Sequence, residues 1–211
     1  MMANQTENSV ISAKLLSVDN FLPRKDASAL LDYTLSCEEK FERALVVQPK
    51  SNRETADLTH RRASVLYDTG LFNELILTHV RTLLPRILED LSHRPFTLSH
   101  IETRITASND GDFFKKHNDN SQAPIRTREI SFVYYFFREP KAFSGGELII
   151  YDTRREANTH RAMNTFKTVT PQQNKIVFFP SLLIHELLEV RCDSRAFADS
   201  RFTLNGWIRR Q

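Results

Sequence analysis

The residues best equipped for chemistry stand in the stretch "DFFKKHNDN", residues 112–120, where His117 and Asp119 lie one residue apart. Imidazole nitrogens and carboxylate oxygens are common ligands of divalent transition metals. On an extended chain residues i and i+2 point to the same side, so an H-x-D at a strand end presents both ligands together. The pair alone decides little. A chain of this length meets an H-x-[D/E] about once by chance, and a second match exists, His100 and Glu102 in "HIE". Taken in isolation, His117 in "KKHND" reads as a surface histidine, and Lys115 and Lys116 as exposed. The residues downstream of each pair separate the two.

The elements that must position these residues change character along the chain. In "KDASALLDYTLSCEEKFERAL", Leu30, Leu31, Leu35 and Phe41 fall close to helical spacing, with Asp26 or Ser28 as candidate caps. Phe72, Leu75, Ile76, Leu83, Leu84, Ile87, Leu88 and Leu91 predict a second helix with a wide apolar stripe, which Pro85 should kink or split. Beyond about residue 95 come short runs rich in β-branched and aromatic residues, separated by Gly, Pro, Asn and Asp: "FTLSHIETRITA", "TREISFVYYFF", "GELIIYD", "FKTVT", "KIVFFP" and "RFTLNGWI". Helices succeeded by many short strands predict an antiparallel sandwich or barrel with helices packed on one face.

Composition narrows the partners. The 211 residues carry 29 basic and 26 acidic side chains, interleaved to a net charge of +3, which gives no case for nucleic acid. His60–Arg62 and Arg209–Arg210 read as solvated surface. The N-terminus "MMANQTENSV" is polar, reads as disordered over residues 1–10, and lacks the apolar core of a signal peptide. No run approaches the length of a membrane span. Cys37 and Cys192 are too far apart for a metal knuckle. Cys37 reads as a buried free thiol, and a reducing cytoplasm is the expected compartment.

Four features line up in order behind His117 and Asp119. "TREISFVYYFF" is the continuous apolar run of a strand buried on both faces. "FSGGELIIYD" opens with Gly145-Gly146, a tight turn entering the next strand. "KIVFFPSLLIHELLEV" sets His185 after a buried strand and a proline-marked turn. "RFTLNGWI" then alternates Arg201, Thr203, Asn205 and Trp207 on one face with Phe202, Leu204 and Ile208 on the other. If the polar face is interior, Arg201 is a buried cation that demands a carboxylate. A dicarboxylate would satisfy it through a bidentate pair, with the Thr203 hydroxyl adding one bond. Two histidines and a carboxylate on one face of an octahedron are also what non-haem Fe(II) takes when it keeps three positions open.

The ordered set G-D-F-F-x-x-H-x-D, Y-Y, S-G-G-E-L, F-F-P…H and R-x-[S/T]…W, over about residues 95–210, resembles the 2-oxoglutarate- and Fe(II)-dependent dioxygenases, in their prolyl 4-hydroxylase-like branch. The resemblance implies a mainly β chain with N-terminal α-helices. Its core would be a double-stranded β-helix, the cupin-like jelly roll, spanning about 95–210. Helical support would span about 24–92, within a single domain of residues 11–211. It implies His117, Asp119 and His185 as iron ligands. It implies Arg201 for the distal carboxylate of 2-oxoglutarate, assisted by Thr203 and by Tyr135, with the register between Tyr134 and Tyr135 left open. Where many relatives carry a tyrosine before the glycine turn, this chain has Ser108.

The activity implied is hydroxylation of an unactivated C–H bond with release of succinate and CO2, using Fe(II), 2-oxoglutarate and O2, with ascorbate as reductant. The substrate implied is a prolyl or other residue of a peptide or protein, with a free amino acid or small molecule as alternative. Assembly is left open, a homodimer included. Asp119 itself favours hydroxylation, since halogenating relatives have a small residue there. Nucleic-acid demethylation is disfavoured, because that branch wants an arginine where Trp207 stands. The stretch "YDTRREANTHRAMN" reads as a polar loop and candidate substrate lid. Trp207 reads as core packing. From a different class, a jelly-roll binding module without catalysis stays open.

Overall fold

Two adjacent tyrosines show how the chain is layered. Tyr134 and Tyr135 lie in the strand Arg128–Phe136 and both are fully buried, so that strand is covered on each face, as its unbroken apolar run predicts. Tyr134 joins the cluster containing Leu30, Ile76, Val80 and Ile87 from the helices. Tyr135 points the other way, among Leu148, Ile150, Val177 and Phe179. The order is therefore helix layer, large sheet, small sheet. The protein is described by a computed structural model over residues 9–47, 54–156 and 159–211.

The large sheet is antiparallel. It runs Leu16–Asp19, Lys175–Pro180, Arg128–Phe136, Arg201–Arg210, Leu98–Ser108, Ser64–Leu66 and Glu42–Arg43, each strand paired with the next. The small sheet runs Val10–Ile11, Leu148–Glu156, His185–Leu187, Phe113–His117 and Arg61–Arg62, with Thr159–Val169 also paired to Leu148–Glu156. Facing antiparallel sheets with helices on one outer side form the jelly roll expected. Phe202, Leu204 and Ile208 face the helices, while Arg201, Thr203 and Trp207 are buried between the sheets.

Several local expectations differ from the structure. Helix α1 is Arg24–Ser36, entered from Pro23, and neither Asp26 nor Ser28 caps it. The Asp26 and Ala27 amides donate to the Pro23 carbonyl, and Asp26 serves in the first turn, where its charge suits the helix dipole. The segment "CEEKFER", helical by composition, leaves the helix. Glu38–Lys40 is a 3-10 turn and Glu42–Arg43 pairs with Ser64–Leu66, so edge pairing overrides propensity. Helix α2, Phe72–Asp90, runs unbroken through Pro85, held by the burial of Ile76, Leu77, Val80 and Ile87. Between the helices the described residues form short strands, so the support at 24–92 is not all helical.

Residues 1–8 of the tract read as disordered lie outside the described residues, and Val10 pairs with Arg154. The described residues of the "YDTRREANTHRAMN" stretch, 151–156 and 159–164, lie in strands. Leu148–Glu156 and Thr159–Val169 carry it up and back as a long hairpin, with Thr153 paired to Ala162. Its many charged and polar residues look like loop composition, although Tyr151 and Thr153 among them are buried. Neither helix is long and apolar enough to cross a membrane. Cys37 and Cys192 are free and buried.

Candidate active site

Strand pairing brings the two histidines together. His117 closes the strand Phe113–His117, His185 opens His185–Leu187, and the two are direct partners in the antiparallel register. Their ring centroids are 4.2 Å apart. Asp119 lies just past the strand end, where its amide donates to the Ser181 carbonyl at 2.9 Å. Its Oδ1 is 3.9 Å from His117 Nε2 and its Oδ2 is 3.5 Å from His185 Nε2. One ligand atom from each residue falls within 4.8 Å of the others, and these three form the one such cluster among the described residues.

The supporting hydrogen bonds aim the ligands. His117 Nδ1 lies 2.7 Å from the Lys115 carbonyl and His185 Nδ1 lies 2.9 Å from the Leu183 carbonyl. A carbonyl can only accept, so each Nδ1 carries a proton and each Nε2 is the atom turned toward Asp119, with a lone pair free for a metal whenever the ring is neutral. Ser131 Oγ donates to Asp119 Oδ2 at 2.6 Å and lies 2.9 Å from Ser181 Oγ. Burial, and then the neighbouring His185, hold His117 well below the usual imidazole range. Burial alone would raise Asp119. His185, His117, Arg128 and the Ser131 hydrogen bond outweigh it and hold the carboxyl well below the usual range. A neutral His117 beside an ionised Asp119 is the state in which a divalent cation takes those two ligands.

These residues open into a cleft whose opposite wall is the polar face of Arg201–Arg210. Arg201 is 3% exposed, and its Nε donates to the Gly146 carbonyl at 2.9 Å. No carboxylate among the described residues pairs with it, and burial lowers its affinity for its proton. A buried guanidinium left in that state calls for an anion. Gly146 makes room: a Cβ there would stand 2.7 Å from Arg201 Cδ, and its φ is +68°.

Thr203 Oγ1 accepts from Asn205 Nδ2 at 3.1 Å, which leaves its own proton to donate. Ser108 pairs with Arg201 across the strands, lines the cleft, and has a buried hydroxyl with no partner. The Tyr135 ring lies 4.9 Å from the guanidinium carbon. Its hydroxyl is buried without a hydrogen bond of good geometry, and burial pushes it up. Tyr135 is therefore the tyrosine beside Arg201, whereas Tyr134 donates to Asn174 Oδ1 on the helix side. It lies beside the arginine, not on the cleft wall. An unpaired buried cation and orphaned hydroxyls next to three converging ligands fit an anionic metal chelator such as a keto diacid.

Some residues read as surface are part of this architecture. Arg61, from the "HRR" cluster, is 5% exposed. Its strand pairs with Phe113–His117, its guanidinium lies 4.8 Å from the Phe114 ring, and it donates to the Leu45 carbonyl. Arg209 and Arg210 are ion-paired to Glu102 and Glu129. Trp207 is packed, but on the cleft wall, between Arg104 at 4.4 Å and Arg128 at 4.0 Å. Lys115 and Lys116 are exposed, as expected. His100 and Glu102 are 3.7 Å apart, but Glu102 is held by Arg128 and Arg209 and no third ligand among the described residues joins them. A two-residue strand such as Arg61–Arg62 leaves too short a pattern to be read in advance. The serines gave no spacing signal.

The likeness to known proteins covers the same region. The family model of the 2OG-Fe(II) oxygenase superfamily matches residues 103–209. An uncharacterized PKHD-type hydroxylase of Synechocystis sp. is 37% identical over 209 residues, covering 98% of this chain and 67% of that protein. A Pseudomonas putida prolyl-4-hydroxylase superposes with a TM-score of 0.63 at 21% identity, over 94% of each chain. A Trichoplax adhaerens prolyl hydroxylase, in complex with a peptide fragment of hypoxia inducible factor, gives 0.68 at 15%, over 93% of this chain and 83% of that one. At those identities the two structures speak for the jelly-roll fold. The matched family region and the 37% relative speak for membership. This chain belongs to the 2OG-Fe(II) oxygenase superfamily and is a 2-oxoglutarate-dependent dioxygenase.

Proposed function

We propose that His117, Asp119 and His185 hold one Fe(II). In this reading Arg201, with Thr203 and Tyr135, receives the distal carboxylate of 2-oxoglutarate. The enzyme then hydroxylates an unactivated C–H bond on a prolyl or other residue of a peptide or protein. One observation carries the reading: a buried guanidinium without an ion-paired carboxylate shares a cleft with two histidine Nε2 atoms that converge on a carboxylate. When bound, the iron and cosubstrate supply the oxidising power, O2 and 2-oxoglutarate giving succinate, CO2 and one oxygen atom for the substrate.

The protein's own part is positioning. The Lys115 and Leu183 carbonyls fix both imidazole tautomers, and Ser131 fixes the Asp119 rotamer. The Gly146 carbonyl holds the Arg201 plane, so the cation meets the incoming diacid without reorganising. Thr203 and Ser108 supply hydroxyls along the same wall. Phe114 stacks on His117 with centroids 3.5 Å apart, and Phe179 packs edge-on to His185 at 4.8 Å. Both exclude water from one side of the ligands. Ascorbate would serve to keep the iron reduced. Residues 11–211 would act as one catalytic domain.

A peptidyl substrate is favoured by the likeness to the Trichoplax prolyl hydroxylase, whose structure is a complex with a peptide fragment. The test is direct. With Fe(II), 2-oxoglutarate and ascorbate, the protein should release succinate above a His117→Ala control, and a peptide library or cell lysate should yield peptides heavier by one oxygen. Succinate equal to the control, with peptides present, would leave a binding module without catalysis.

A further inference from the structure

The cleft does not end at the metal ligands. An outer cleft shares Arg61, Phe114, His117 and Asp119 with the inner one and reaches Ser121, Thr159 and His160. Those last three residues also line a third groove, whose walls carry Arg94, Arg126 and Arg155. The path from the His117–Asp119–His185 cluster to these arginines is therefore continuous, with the hairpin formed by Leu148–Glu156 and Thr159–Val169 as one bank.

The charge along the third groove is one-sided. Arg94, Arg126 and Arg155 are exposed, and their guanidinium groups have no ion pair or hydrogen-bond acceptor among the described residues. The groove's one carboxylate, Glu129, is already engaged by Arg210 at 2.7 Å and His93 at 3.4 Å. His160 marks the junction with the outer cleft, its Nδ1 3.3 Å from the Asn118 amide. Scattered surface arginines are ordinary, but three free ones converging on a single groove make a local positive field. The groove carries no Phe, Tyr or Trp, so it lacks the stacking platform on which single-stranded nucleic acid relies.

Resting on the peptide-hydroxylase reading above, we infer that the substrate is an extended acidic peptide. Its reacting residue would sit at the His–Asp–His cluster, and glutamate or aspartate side chains some residues away would lie along Arg94, Arg126 and Arg155. The arginines act on binding and selection and take no part in the chemistry. They lie far enough out that substitution leaves the inner cleft as it is. Attraction between such exposed charges is modest singly, additive in a row, and weakened by salt.

The experiment compares two labelled peptides, each with a central proline, one flanked by glutamates and the other by glutamines, by fluorescence anisotropy on the full chain. The glutamate peptide should bind about tenfold tighter at low salt, and the gap should close as salt rises. Each of Arg94→Gln, Arg126→Gln and Arg155→Gln should weaken the glutamate peptide about twofold and leave the glutamine peptide unchanged. The triple variant should abolish the preference while peptide-independent succinate release stays at the wild-type rate. Equal binding of the two peptides, a preference that survives the triple variant, or stronger competition by a single-stranded oligonucleotide would overturn the inference while leaving the oxygenase reading intact. Absence of succinate from the wild type would remove that reading, and this inference with it.

Discussion

The chain contains the same three-residue pattern twice, and its two copies have different fates. His117 and Asp119 stand at a strand end, face inward, and meet a second imidazole across the sheet at His185. His100 and Glu102 sit on the strand Leu98–Ser108. There His100 is exposed and Glu102 is gripped by Arg128 and Arg209. Both pairs have i, i+2 spacing and both place nitrogen and oxygen within 4 Å. A carboxylate on which two imidazole nitrogens converge is a metal ligand in waiting, whereas one bonded to two guanidiniums has already found its cations. Spacing nominates a pair, and the opposing strand decides its use.

The sharpest way to break this contrast is to remove a ligand from each pair. His117→Ala, Asp119→Ala or His185→Ala should weaken Fe(II) binding by more than about a hundredfold and abolish succinate release, read by anaerobic metal titration and product analysis. His100→Ala and Glu102→Gln should leave metal affinity where it was. Loss of metal binding in either of these would put the wrong pair at the centre.

The next effect concerns the wall opposite. Arg201→Met should raise the KM for 2-oxoglutarate by about a hundredfold, since a buried cation matched to a carboxylate is worth several kcal/mol. Gly146→Ala should do the same more weakly, about tenfold. Its Cβ would collide with Arg201 Cδ at 2.7 Å, and its left-handed backbone costs a non-glycine residue about 1–2 kcal/mol. Unchanged cosubstrate kinetics in both would remove Arg201 from the cosubstrate site.

Glu102 sharpens the comparison from the side of stability. Its burial favours the neutral form, but Arg128 and Arg209 prevail and hold its pKa below the ordinary 4.5. A lowered folded-state pKa stabilises above the unfolded value and is lost as pH falls through the folded one. Glu102→Gln should therefore cost about 1–3 kcal/mol at neutral pH by leaving two half-buried guanidiniums short of a partner. The gap in Tm between wild type and variant should shrink as pH drops below 4.5. A gap that is constant with pH would mean the pair contributes nothing electrostatic. Smallest of all, His100→Ala should change stability by less than about 0.5 kcal/mol, as befits an exposed side chain.

How far the sequence can be read depends on whether a residue's role lies in a repeating pattern. The alternation of Arg201 and Thr203 with Phe202 and Leu204 announces an interior polar face, because a strand's period carries that information. His185 is legible from its place after "FFP". Arg61 is not. Its strand is two residues long, and its burial depends on pairing with Phe113–His117, more than fifty residues away. Ser131 and Ser181 leave no trace either, since a serine within or beside an apolar run carries no period of its own. The stretch 151–164 reads as a loop because its crowded charged and polar residues mask the strand period, although Tyr151 and Thr153 within it are buried. The helix ending at Ser36 reads as longer than it is because "CEEKFER" has helical propensity that edge pairing overrides.

A crystal structure of the chain grown anaerobically with Mn(II) and 2-oxoglutarate is the most direct test. It should show a single strong metal peak bounded by His117 Nε2, His185 Nε2 and a carboxylate oxygen of Asp119, with the diacid reaching from that metal to Arg201. A metal held at His100 and Glu102, or a diacid bound away from Arg201, would contradict this assignment.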